Sequence, residues 1–301
     1  MNHMFGLAPL AALLWMSAGA AIAQDQEEIE VTLEEVGTGV YMLTGRGGNI
    51  GVSIGEDGVF LVDDQYAPLT PAIREALAEV TDEPVRFVLN THWHEDHTGG
   101  NEEFGKGGSL VIAHENVRKR LAAGQIMNYL GQEINVPPAS GAALPVVTFD
   151  NAVTFHINGD EVHAFHVLSA HTDGDSIVHF RKADVVHMGD TYFNGFYPYI
   201  DASSGGSLRG MIAAADRALE LVGEDTAVIP GHGPLSNRQE LESYRDMLVE
   251  VHERMGELID EGLSLEEIQA RAPTAEFDAE WGDGSIGPAQ WVEMIYRMMT
   301  K

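Results

Sequence analysis

The chain opens with short apolar runs broken by turn residues. Glu30–Val36, Gly39–Thr44, Asn49–Ile54 and Val59–Val62 are separated by Gly and Asp and predict four β-strands. The period then changes. Over Thr70–Val80, Ile73, Leu77 and Val80 share one face and Pro71 stands at the start, which predicts a helix. Val85–Leu89 predicts a buried strand and Ser109–Ala113 another. His114–Leu130 reads as helical with an interruption at Gly124. Residues 131–145, which contain Pro137, Pro138 and Pro145, read as a loop.

The second half repeats the alternation. Val146–Phe149, Ala152–Ile157, Glu161–Val167, Ser176–Phe180 and Val185–Met188 predict strands. Ser207–Val222 predicts an amphipathic helix with Met211, Ala215, Leu219 and Val222 aligned. Thr226–Ile229 is a short buried strand, and helices follow at about 237–261, 264–271 and 288–299. No linker divides these elements. Two strand-rich halves, each followed by helices, predict an α/β (α+β) fold of two sheets packed face to face, helices outside, in a single domain over residues 24–301. Its catalytic core is expected at about 30–260, with C-terminal helices running on to 301.

Composition modifies this picture at the N-terminus and at the surface. Residues 1–23 contain no Asp, Glu, Lys or Arg. Their apolar run Leu7–Met16 is followed by small residues and Ala21-Ile22-Ala23. This predicts a signal peptide cut after Ala23 and a periplasmic or secreted protein, with no membrane attachment after cleavage. The formal net charge is -30, all of it beyond that segment, which excludes a nucleic-acid partner and otherwise means a solvated acidic surface. There is no Cys, hence no disulfide, lipidated cysteine, thiolate ligand or thiol nucleophile.

The candidate chemistry lies directly after Val85–Leu89, in Thr91-His92-Trp93-His94-Glu95-Asp96-His97-Thr98-Gly99-Gly100. Imidazoles and carboxylates are ligands for zinc and related divalent metals. On a turning backbone His92 and His94, two residues apart, face the same way, and Asp96 and His97 are free to face a second ion. Three later segments offer further ligands at predicted strand ends: His171 with Asp173 and Asp175, His187 with Asp190, and Pro230-Gly231-His232-Gly233. Trp93 is expected to pack beneath the turn. Tyr192, Phe193, Phe196, Tyr197 and Tyr199 either line a pocket or cover the sheet edge. His114, His156, His163, His166, His179, His187 and His252 have no ligand spacing and read as packed or surface histidines.

The ordered pattern His-x-His-x-Asp-His, a later His, a later Asp and a final Gly-His, over residues 92–232, resembles the metallo-β-lactamase-fold hydrolases. The resemblance implies their αββα four-layer sandwich and two Zn2+ per chain. It places His92, His94 and His171 on one ion, Asp96, His97 and His232 on the other, and Asp190 between them. Asp63 would hold a ligand histidine from behind. The implied function is a periplasmic dinuclear zinc metallohydrolase acting on a small molecule through a hydroxide shared by the ions, with Asp96 as the catalytic proton handler. Hydrolysis of β-lactam rings is the first named expectation. A lactonase, thioesterase or phosphodiesterase is the alternative, ahead of an iron-dependent redox relative or a non-catalytic envelope protein. The chain departs from the cysteine-ligand zinc β-lactamases, because Asp190 stands at the Cys position. Phe193 stands where a Lys would anchor the drug carboxylate, leaving Arg209 and Thr191 as replacements.

Overall fold

A computed structural model describes residues 31–300, so the expected signal segment lies outside the described residues. The chain runs β1 (Thr32–Gly37), β2 (Val40–Thr44), β3 (Ile50–Gly55), β4 (Gly58–Val62), α1 (Thr70–Ala78), β5 (Val85–Asn90), α2 (Glu95–Thr98), α3 (Asn101–Lys106), β6 (Leu110–His114) and α4 (Glu115–Ala123). It continues through β7 (Gln125–Tyr129), β8 (Gln132–Val136), β9 (Val147–Phe149), β10 (Ala152–Ile157), β11 (Asp160–His166), β12 (Ser176–Phe180), β13 (Val185–His187), α5 (Leu208–Leu219) and β14 (Ala227–Ile229). The helices α6 (Arg238–Asp260), α7 (Leu265–Arg271), α8 (Asp278–Trp281) and α9 (Pro288–Met299) follow.

Strands β1-β2-β3-β4-β5-β6-β9 form one sheet and β10-β11-β12-β13-β14 the other. Sequence periodicity explains how they stack. In β4 the alternate residues Phe60 and Val62 join the apolar layer between the sheets, where they meet Val162, Val178, Phe180 and Ile229 of the second sheet. Val59 and Leu61 point the other way, onto Ile73 and Leu77 of α1. The outer face of the second sheet, through Ile177, Val186 and Val228, packs on Met211 and Ala215 of α5, Leu248 and Val251 of α6, and Trp291 of α9. The result is the expected helix–sheet–sheet–helix order. Among the described residues no helix is long and apolar enough to cross a membrane.

Two expectations are corrected. Residues 125–129 are not helical and 132–136 are not loop. They form the antiparallel β7–β8 hairpin, which belongs to neither main sheet. The helix stops at Gly124, whose φ of 71° is left-handed. The strands reverse through Leu130 and Gly131, both at positive φ (49° and 86°). A short helix, α8, also appears where none was expected.

Candidate metal centre

Parallel strands bring the site together. β4, β5 and β6 run parallel, as do β13 and β14, so the chain leaves β4, β5, β13 and β14 at one edge of the sandwich. Asp63 follows β4, His92 to His97 follow β5, Asp190 follows β13 and His232 follows β14. His171 lies in the connection between β11 and β12. Asn49, unforeseen from sequence, pins the His232 turn: its side-chain amide donates to the Pro230 and Gly233 carbonyls at 3.0 and 2.9 Å.

All seven sequence-predicted ligand residues converge. They fall into two groups able to hold a metal ion: His92, His94, His171 and Asp190, and Asp96, His97 and His232. His94 Nδ1 lies 3.1 Å from His92 Nε2 and 2.9 Å from His171 Nε2. In the second group His97 Nε2 and His232 Nε2 are 3.3 Å apart, and Asp96 Oδ2 is 3.2 Å from His232 Nε2. Asp190 spans both groups. Its Oδ2 is 3.4 Å from His171 Nε2, and its Oδ1 is 3.0 Å from His97 Nε2 and 3.4 Å from His232 Nε2.

Four of the imidazoles are fixed from behind. Asp63 Oδ2 accepts from His97 Nδ1 at 2.8 Å and from Thr91 Oγ1 at 2.7 Å, while its Oδ1 accepts the Thr91 N–H at 2.7 Å. With its proton given to Asp63, Thr91 Oγ1 accepts from His92 Nδ1 at 3.1 Å. The Tyr199 carbonyl accepts from His171 Nδ1 at 2.9 Å, and Asp201 Oδ2 from His94 Nε2 at 3.2 Å. Each outer nitrogen therefore carries a proton, and in the first group the inward nitrogens of His92, His94 and His171 are left with bare lone pairs. The His94 lone pair, within 3.1 Å of each of the other two, is repelled by both unless a cation lies between them. A tetrahedral zinc with bonds of about 2.0–2.1 Å holds two nitrogens roughly 3.3 Å apart, so the donor set fits zinc. Asp190 Oδ1 points the same way: it is buried and lacks a well-angled hydrogen-bond partner.

Electrostatics distinguish the two groups. Burial holds the His171 imidazole down, at about 4, and the His92 imidazole well below its ordinary value, so both are neutral and able to ligate. Burial also opposes charge on His232 and His97. The Asp190 and Asp96 carboxylates outweigh it, raising His232 to about 9 and His97 well above the ordinary range. For Asp96 burial works upward, but His97 and His232 win and hold it at about 2.

The remaining expectations divide. Trp93 is buried against Ala113, Val117 and Leu121 beneath the turn, and it also borders the cavity. Phe193, Phe196 and Tyr199 line that cavity, whereas Tyr192 and Tyr197 pack in the core. None of the seven remaining histidines joins either group. His187, fully buried, bonds the Asn49 carbonyl at 3.0 Å, and His114 stacks on His166 at 3.8 Å. The proposed anchors are elsewhere: Arg209 donates to His252, and Thr191 is buried with its hydroxyl on the Met188 carbonyl. Asp201 was missed by sequence reasoning, and no spacing signal marks it.

The chain is a two-sheet sandwich with a His- and Asp-rich edge able to hold metal ions. The family model described as the metallo-beta-lactamase superfamily matches residues 43–247, and the chain belongs to that superfamily. It is similar to a hydroxyacylglutathione hydrolase of Polaromonas sp., with 28% identity over 54% of each chain. It thus spans about half the length of that relative. Among solved structures it resembles a metallo-beta-lactamase from Pontibacter korlensis (TM-score 0.60, 19% identity, covering 73% of this chain and 99% of that one). It also resembles the sec-alkylsulfatase Pisa1 from Pseudomonas sp. (TM-score 0.66, 19% identity, 89% and 50%). These structures share the fold.

Proposed function

We propose that the chain is a dinuclear zinc hydrolase that cleaves carboxylic-acid derivatives, namely esters, thioesters, lactones or lactams. The observation that carries this reading is the inward convergence of fixed imidazole nitrogens on both sides of one carboxylate, Asp190. His92 Nε2, His94 Nδ1 and His171 Nε2 would hold one ion, and Asp96, His97 and His232 the other. Bound there, the ions would supply a water of lowered pKa and polarisation of the scissile carbonyl. Two complete groups favour hydrolysis over single-iron redox chemistry or a non-catalytic role, neither of which uses the second group.

The chain's own groups supply the rest. Asp96 and Asp190 both border the cavity, but Asp96 is 23% exposed and Asp190 only 6%. Asp96 is the carboxylate able to reach substrate, orient the attacking water and take its proton. Asp63, Asp201, Thr91 and the Tyr199 carbonyl keep the imidazoles aimed while the charge nearby changes. The aromatic walls exclude bulk water from the reacting carbonyl.

The test is Asp96→Ala, assayed with the zinc-loaded protein against a panel of 4-nitrophenyl esters, lactones, thioesters, β-lactams and phosphodiesters. Wild type should open at least one carbonyl substrate. The variant should lose about 10²–10⁴-fold in kcat with its circular dichroism unchanged. Undiminished turnover would refute the role of Asp96, and cleavage of phosphodiesters alone would refute the substrate class.

A further inference from the structure

The walls of the cavity narrow the substrate further, an inference that rests on the hydrolase reading above. The cavity holds about 390 Å³ in front of Asp96, Asp190 and His232. Among the described residues its charged lining is all acidic or imidazole: Glu95 joins the two aspartates, and no Lys or Arg lines it. Most of the remaining surface is aromatic or aliphatic.

The β7–β8 hairpin supplies much of that surface, and its register shows how. The cross-strand pairs Gln125 with Val136, Met127 with Ile134 and Tyr129 with Gln132 share one side of the ribbon. Met127, Tyr129, Ile134 and Val136 from that side line the cavity. Ile126 with Asn135 and Asn128 with Glu133 face outward. The ribbon is fastened at both ends. The Tyr199 hydroxyl donates to the Asn128 carbonyl at 2.9 Å, the Asn128 N–H donates to Ser203 Oγ at 3.2 Å, and Arg120 Nη1 donates to Gln125 Oε1 at 2.9 Å. Ile134 nonetheless stays 40% exposed over the opening, apolar area that a ligand would cover.

We propose that the substrate is an uncharged carbonyl compound whose apolar or aromatic acyl group lies against this hairpin, and that the site discriminates against an anionic acyl terminus. An anion placed there would give up water without gaining a basic partner. The arginines that could serve lie elsewhere. Arg120 is paired with Asp173 at 2.7 Å, and Arg209 bonds His252. Arg46 is exposed on the loop before β3 and acts on Tyr66 through space without lining the cavity. The chain's net charge of -30 opposes anions at longer range. Bound ions would offset Asp96 and Asp190 at the reacting end, so the discrimination falls on the far end of the acyl group.

Two matched pairs of probes test this. Calorimetry compares hexanophenone with 5-benzoylpentanoate, which differ only by a terminal carboxylate, on zinc-free and zinc-loaded protein. Steady-state kinetics compares 4-nitrophenyl hexanoate with the mono-4-nitrophenyl ester of adipic acid. The neutral member should be favoured by about tenfold or more in both tests, with the kinetic difference in KM. Ile134→Lys, on the cavity face of an isolated ribbon, should close most of that gap. Ile126→Lys, which puts the same charge on the outward face, should leave it unchanged. Equal or tighter binding of the carboxylate members would overturn the inference, as would identical ratios in the two lysine variants. Tight carboxylate binding abolished by Arg46→Gln would name that arginine as an anion anchor and overturn it too. If neither ester nor any other carbonyl substrate of the panel above is cleaved while hexanophenone keeps its advantage, the hydrolase reading fails and the preference for uncharged ligands stands.

Discussion

Asp63 shapes the site without lining the cavity. It sits just past β4 with φ at 68°, a left-handed backbone that a non-glycine residue adopts at a cost of about 1–3 kcal/mol. In return both of its oxygens face the turn after β5, where they fix His97 and, through Thr91, His92. Asp63→Asn should weaken zinc binding by about 10–100-fold, because an amide cannot accept on both sides as the carboxylate does. Competition with a chromophoric chelator would show this, and an unchanged affinity would remove Asp63 from the account. A second prediction follows from His232 and His97. Both are raised above the ordinary imidazole value, His232 to about 9, so in the metal-free chain both hold a proton more tightly than a free imidazole does. They must shed protons to ligate, so zinc affinity should climb from pH 6 toward about 9, with proton release measurable by calorimetry in buffers of different ionisation enthalpy. A flat profile would contradict it. At this scale the sequence was most readable for His92, His94, Asp96, His97, His171, Asp190 and His232, because their order and spacing carry a metal-site pattern. Asp201 was not readable, being a lone Asp brought to His94 by a long connection. Neither were the Tyr199 carbonyl and Asn49, since a backbone acceptor and a turn-pinning amide leave no residue pattern.

Among the elements, the turns after β13 and β14 are held to a narrow tolerance. A Cβ on Gly231 would come within 2.2 Å of Asp190 Oδ1 and 2.6 Å of the Gly189 carbonyl, so the side chain between the two groups has no room to yield. Gly231→Ala should therefore reduce zinc below two per chain, whereas Gly141→Ala, with nothing within 4 Å, should bind as wild type does. Elemental analysis of the two variants checks this, and full loading of Gly231→Ala would refute the close packing. Most strands and long helices were legible from period alone. Val59–Val62 is apolar throughout because both its faces are buried, and α5 and α6 present continuous apolar stripes. The β7–β8 hairpin was not. Its reversal uses Leu130 and Gly131, not the Asn-Gly or Asp-Gly that marks such a turn, and its first strand follows a helix without a polar break. Its alternation is also muted, because Ile126 on the outward face is 64% exposed.

The whole molecule joins a layered apolar core to a strongly acidic surface. The cost of that surface is self-repulsion, so the melting temperature should rise between about 0.05 and 1 M NaCl as charges are screened. A fall over that range would mean that attractive ion pairs dominate. The four layers were foreseeable from the order of strand-rich and helical stretches, since each sheet must cover its second face. The edge that gathers the ligands was foreseeable only through the resemblance: periodicity does not say which strands run parallel, and the parallel pairs β4–β5 and β13–β14 put their exits side by side. On the proposed reading this edge holds two ions between its His- and Asp-bearing turns. Elemental analysis of the purified protein, after dialysis against zinc and removal of excess, tests it most directly. Two zinc per chain, falling to one or fewer in Asp190→Ala, is the predicted result. A single iron per chain, or zinc content unaffected by Asp190→Ala, would contradict it.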